Sequence, residues 1–112
     1  MLSAIHSALS GLAAFEKEID VTAHNVANVN TNGFKKSRTE FVAVATGGVL
    51  PVVQKDDSAG PTVLNNNGYN PALVELSNVD LGDEAVNQIL AQRGFEANLR
   101  TLHTADEMLG TI

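Results

Sequence analysis

Cysteine is absent from this chain, which removes disulfide scaffolding, thiol catalysis and thiolate zinc sites from consideration. Tryptophan is absent as well, and the aromatic residues amount to one tyrosine and four phenylalanines. Aromatic side chains bury the most area per residue, so a chain of 112 residues this poor in them is not an obvious self-contained globule. That length allows one domain at most. Basic charge is also scarce. The formal net charge is −6: the four positive and four negative residues of 1–41 cancel, while 75–112 holds seven acids against two arginines. The small cluster Lys35, Lys36 and Arg38 is too short to make a patch, which argues against nucleic acid and anionic membrane as partners. Long apolar runs are missing too. No segment approaches transmembrane length, and 1–20 has neither the positively charged start nor the continuous apolar stretch of a cleavable secretory signal. If the protein leaves the cytoplasm, another export route is expected to carry it.

What is present is dominated by Ala, Leu, Val and Asn, in periodic order. Leu2, Ile5, Leu9, Leu12, Glu16, Ile19, Ala23 and Val26 recur at alternating steps of three and four, a heptad register with Glu16 as its one violation. No proline interrupts them. The spacing predicts a helix over about 2–29, on the order of 40 Å long at 1.5 Å per residue. A second helix begins after Asp80, a good N-cap, with Asp83 in the capping-box position and Glu84 adding negative charge near the helix start. From there Leu81, Ala85, Gln88, Gln92, Phe95, Leu99, Leu102, Asp106 and Leu109 keep steps of four and three, a weaker stripe with three polar members. A flanking face carries Val86, Ile89, Leu90, Ala97, Ala105, Met108 and Ile112. A helix apolar over that width needs more than one neighbour.

Between the helices, 34–76 shows neither helical period nor a long strand pattern. Pro51, Pro61 and Pro71 punctuate it, together with Gly47, Gly48, Gly60 and the run Asn65-Asn-Asn-Gly68. Thr39–Val44, Val49–Val53 and Pro61–Leu64 read as short strands or a loose hairpin, and Asp56–Gly60 as a turn. Three segments result: a helix with an asparagine-rich end (1–33), an extended insert without a substantial core (34–76), and a second helix (77–112). The expected class is mainly α, with two long terminal helices packed as an antiparallel coiled-coil-like hairpin around a short extended or β-hairpin insert. Antiparallel pairing puts both termini together and leaves the reversal to the insert, although sequence alone leaves other pairings open.

The first helix ends in four asparagines within eight positions, Asn25 to Asn32. A C-cap and turn at Asn32-Gly33 accounts for Asn30 or Asn32. Asn25 and Asn28 lie three apart, still in helical register and beside the apolar stripe. Amides buried between helices bond to backbone and fix register at some cost in stability.

Ala27-Asn-Val-Asn-Thr-Asn-Gly-Phe-Lys35, preceded by Ser7-Ala-Leu-Ser-Gly-Leu12, resembles the N-terminal signature of bacterial flagellar rod and hook proteins. Ser77-Asn-Val-Asp-Leu81, Glu84-Ala-Val-Asn87, Ala91-Gln-Arg93, Ala97-Asn98 and Thr104-Ala-Asp-Glu-Met-Leu109 resemble the partner signature of the same family. The resemblance covers well over half of the chain. It implies a structural subunit of the basal-body rod, a tube spanning the periplasm, assembled with copies of itself and other rod and axial proteins. It also implies delivery by the flagellar type III export apparatus without a cleavable signal peptide, and no membrane insertion. By that resemblance the helix-packing surfaces are Leu2, Ile5, Leu9, Leu12, Ile19 and Val26 on one helix, and Val86, Ile89, Leu90, Phe95, Leu99, Leu102 and Leu109 on the other. Asn25, Asn28, Asn30, Thr31, Gly33 and Phe34 mark the change from helix to extended chain, Gly33 allowing the bend and Phe34 anchoring it. Val26, His24 and Phe95 depart mildly from the family pattern. The short insert is similar to that of proximal-rod members, whereas Thr-Asn-Gly-Phe-Lys is more typical of longer ones.

No enzymatic activity, cofactor or metal is expected. His6 and His24 lie about 27 Å apart along one helix, too far to share an ion. His6 and His103 offer two ligands at most in an antiparallel pair. Asp56-Asp57 reads as a solvated turn, and Asp80, Asp83 and Glu84 as capping residues. A soluble coiled-coil adaptor or secreted interaction protein is the rival reading, and a small hydrolase the third.

Overall fold

The computed structural model describes residues 1–66, 68 and 70–111. Asn67 of the Asn-Gly run and Ile112 of the flanking face lie outside the described residues. Two helices, α1 (Leu2–Ala27) and α2 (Leu81–Gly110), enclose strands β1 (Ser37–Ala43), β2 (Val49–Lys55), β3 (Thr62–Asn65) and β4 (Ala72–Glu75). β1 pairs antiparallel with β2 and β3 with β4, giving two separate two-stranded sheets. The expected mainly α hairpin around a short β insert is what forms. β4 was not anticipated, because Ala72–Glu75 sits behind Pro71 and is too short to show alternation.

Helix α2 starts where its cap dictates: the Asp80 carboxylate accepts from the backbone N–H of Gly82 (2.8 Å) and Asp83 (3.4 Å). Helix α1 stops at Asn28, whose N–H still reaches the carbonyls of His24 and Asn25, and whose side-chain amide donates back to His24 O at 2.9 Å. The helices run antiparallel, since Gly11 faces Asn98, Gly94 faces Phe15 and Asn25 meets Glu84.

Their seam is not the leucine stripe. It runs through Ala8, Gly11, Phe15, Thr22 and Asn25 on α1, and through Glu84, Ala91, Gly94, Asn98 and Ala105 on α2. Each position lies one residue before a member of the expected register, a rotation of about 100° about each helix axis. The reason is size. Ala and Gly allow backbones to approach more closely than Leu or Ile would, and a Cβ on Gly11 would lie 2.5 Å from Asn98 Oδ1.

The β1–β2 hairpin folds back along α1. Phe41 meets Phe15 edge to face, ring centres 4.9 Å apart. At the hairpin tip Val49 N–H donates to Ser10 Oγ (3.1 Å), which itself donates to Ser7 O (2.7 Å). Gly48 lies so close that a Cβ there would sit 2.5 Å from Ser10 Oγ. The β3–β4 hairpin touches no other element among the described residues. The whole is a slat of 77 × 24 × 14 Å whose buried apolar side chains, among the described residues, are the alanines 8, 14, 91 and 105.

Candidate functional site

The asparagine segment separates into distinct tasks once its bonds are traced. Asn25 is buried, and its amide closes a ring with the backbone of Ser37: Oδ1 accepts Ser37 N–H (3.0 Å) and Nδ2 donates to Ser37 O (2.7 Å). The same Nδ2 donates to Glu84 Oε1 at 3.0 Å. One side chain thus joins the end of α1, the first residue of β1 and the first turn of α2. Asn28 does something else. It is half-buried and serves as the C-cap, its Oδ1 accepting from Thr31 Oγ1 at 3.0 Å. The expectation that Asn25 and Asn28 act together between the helices therefore holds for Asn25 alone. Asn30 and Thr31 stand exposed on the turn.

Gly33 has φ +73°, a left-handed conformation that a side chain disfavours, with nothing within 4 Å of where its Cβ would be. Its N–H donates to Glu75 O (2.9 Å), which docks the bend on β4. The Phe34 ring lies edge-on to His24 with centres 5.5 Å apart.

Two residues central to this junction were read from sequence only as capping charge or motif. Glu84 is 4 % exposed and belongs to the seam, not merely to the helix dipole. Asn78 receives Lys36 N–H on Oδ1 (2.7 Å) and donates through Nδ2 to Asp56 O (2.9 Å) and Ser58 O (3.0 Å). The hint for Asn78 was its place two residues before the cap in the Ser77-Asn-Val-Asp motif. Nothing in spacing pairs a glutamate with Asn25 across the chain.

Charges tie the insert down nearby. The Lys35 ammonium bonds Glu75, whose other donor is Gly60 N–H at 3.0 Å. The Lys35 hydrogen bond, then that from Gly60, then the Lys35 charge hold the Glu75 carboxyl below its usual range. Hydrogen bonds from Ser58 do the same for Asp56, helped by Lys36 and Arg38. Glu18, by contrast, is pushed upward by burial.

Of the expected packing residues, Leu2, Leu9, Val26, Val86, Ile89, Leu90, Leu99 and Leu109 lie exposed, and Ile5, Leu12, Ile19, Phe95 and Leu102 half-buried. They flank the seam and do not form it. Ile5, Leu99, Arg100, Leu102, His103 and Asp106 line a mostly apolar groove of about 730 Å³. Among the described residues no three carboxylate or imidazole groups gather to hold a metal ion, and no helix is long and apolar enough to cross a membrane.

Residues 5–35 match the model of the family described as flagella basal body rod protein, and residues 71–112 that described as flagellar basal body rod FlgEFG protein C-terminal. The flagellar basal-body rod protein FlgG of Bacillus subtilis is 39 % identical over 60 % of this chain and 24 % of its own length. The flagellar hook protein FlgE of Borreliella burgdorferi is 36 % identical over 87 % of this chain and 20 % of its own. The basal-body rod protein FlgC of the same species is 27 % identical over 96 % of this chain and 92 % of its own. The chain thus spans about a quarter or less of the FlgG and FlgE relatives. With both terminal signatures matched and packed against each other in one fold, this chain belongs to the flagellar rod and hook family of axial proteins.

Proposed function

We propose that this chain is a structural subunit of the flagellar basal-body rod, assembling through its terminal helices into the helical axial tube. One observation carries the reading. The pair buries alanine, glycine and polar groups in its own seam, while Leu2 (79 % exposed), Ile89 and Leu90 (59 % each) and Val86 (55 %) remain in water. Leaving a large aliphatic side chain exposed forgoes about 1.5–3 kcal/mol each. Rows of them along both helices are accounted for by neighbours that cover them. Contacts of this kind, made head to tail and not closing on themselves, generate an open helical array. Copies of the chain and other rod and axial proteins supply the neighbours, and the flagellar type III apparatus is the route of delivery. The match to a flagellar basal-body rod protein along most of both chains supports the rod reading.

A dilution series followed by circular dichroism and light scattering tests this. Helicity and scattering are expected to rise together with concentration, without a fixed stoichiometry. A stable dimer or trimer that stops growing would favour the adaptor reading instead. Leu9→Asp or Leu12→Asp is expected to block incorporation into the rod while leaving expression intact. A motile strain carrying either substitution counts against the stripe.

A further inference from the structure

Between the end of α1, the base of β1 and the start of α2 lies a cleft of about 440 Å³, with Glu18, Lys36, Arg38, Thr39 and Glu84 in its walls. Its charges do not balance within the chain. Lys36 lies 3.9 Å from Asp56 and Arg38 3.3 Å from Glu40, so both cations have partners. Glu18 and Glu84 have no ion pair among the described residues. Glu84 Oε1 is taken by Asn25, but Oε2 is buried and, like the buried Thr39 hydroxyl, has no hydrogen-bond partner among the described residues. A buried carboxylate oxygen without a donor carries its full desolvation cost, so an arriving donor gains more here than at the surface. The upward push on Glu18 has the same origin, lost water with no cation in return. A divalent metal ion is a poor occupant, since it needs several converging oxygen ligands. A guanidinium on a long stem suits the site better, because its planar fork of donors spans more than one acceptor.

We propose that this cleft is a socket for an arginine of a neighbouring axial subunit, with Arg100 of a second copy as the side chain that fits. Arg38 is paired with Glu40 and Arg93 with Glu96, whereas Arg100 stands exposed with no ion pair among the described residues. Arg100 lies about 24 Å from Glu84 along α2 at 1.5 Å per residue, so copies staggered by that distance bring the two level. The inference rests on the assembly reading above and gives it an axial register.

The full chain, Arg100→Glu, Glu18→Lys and the double variant are to be compared by sedimentation velocity across a dilution series, with circular dichroism as a check on folding. Each single charge reversal is expected to raise the concentration needed for assembly at least about tenfold, and the double variant to recover most of the loss. Arg100 is exposed, so its reversal leaves the fold intact and keeps the test decisive if Glu18→Lys misfolds. An unchanged assembly concentration for Arg100→Glu overturns the socket while sparing the assembly reading. A wild-type chain that stays monomeric at every concentration overturns both.

Discussion

At the scale of single residues, the strongest leverage belongs to Asn25. Its amide satisfies a strand's first N–H and C=O and one carboxylate oxygen in a buried setting. Asn25→Ala leaves those groups unpaired, and a loss of roughly 2–4 kcal/mol in urea unfolding is expected. Asn25→Asp should be at least as damaging at neutral pH, because it loses both donated bonds and sets a carboxylate against Glu84. Wild-type stability in either variant would show that the contact is incidental. Gly33 acts through its backbone alone. With φ +73° and open space around it, Gly33→Ala is expected to cost about 1 kcal/mol and Gly33→Val more. Thermal unfolding checks both, and Gly33→Val at the wild-type midpoint would mean the bend needs no left-handed residue. The glycine and the capping role of an asparagine were legible in sequence. Which asparagine capped and which was buried was not, because positions three apart on one helix face look alike until a partner arrives.

At the scale of elements, the helix pair is held by fit between small and large groups. Phe15 fills the notch left by Gly94, and Asn98 that left by Gly11. Gly94→Ala would drive a methyl into the Phe15 ring, and a loss of about 1–3 kcal/mol is expected despite the better helix propensity of alanine. A gain in the thermal midpoint of Gly94→Ala would show that the seam yields. Both helices, their order and the capped start of α2 could be read from periodicity. The seam could not, since hydrophobicity ranks leucine above alanine and glycine, while close helix contact ranks them the other way.

At the scale of the whole molecule, a thin slat with an alanine core depends on polar ties to keep its insert in place. Glu75 and Asp56 both ionise more readily in the folded chain than a free carboxyl does. Their contribution is therefore complete above the ordinary carboxylate range and is lost as pH falls through the lowered folded-state values. Acidification is expected to free the insert before it separates the helices. Amide exchange checks this: Gly60 and Ser58 N–H, which donate to Glu75 and Asp56, should lose protection first. Simultaneous loss across α1 and α2 would show that the insert and the helix pair are one cooperative unit.

The sequence by itself determined what is local and periodic: two helices, a capped start, a bend at Gly33, short strands in the insert, and apolar faces wider than one seam. Those follow from backbone preference and spacing, which each segment carries without its neighbours. Only the tertiary structure decided which face turned inward, that Asn25 and not Asn28 met Glu84, and that Asn78 gathered the insert. Such choices depend on how closely two backbones approach and on which buried donor finds an acceptor, and both are set by residues far apart in the chain.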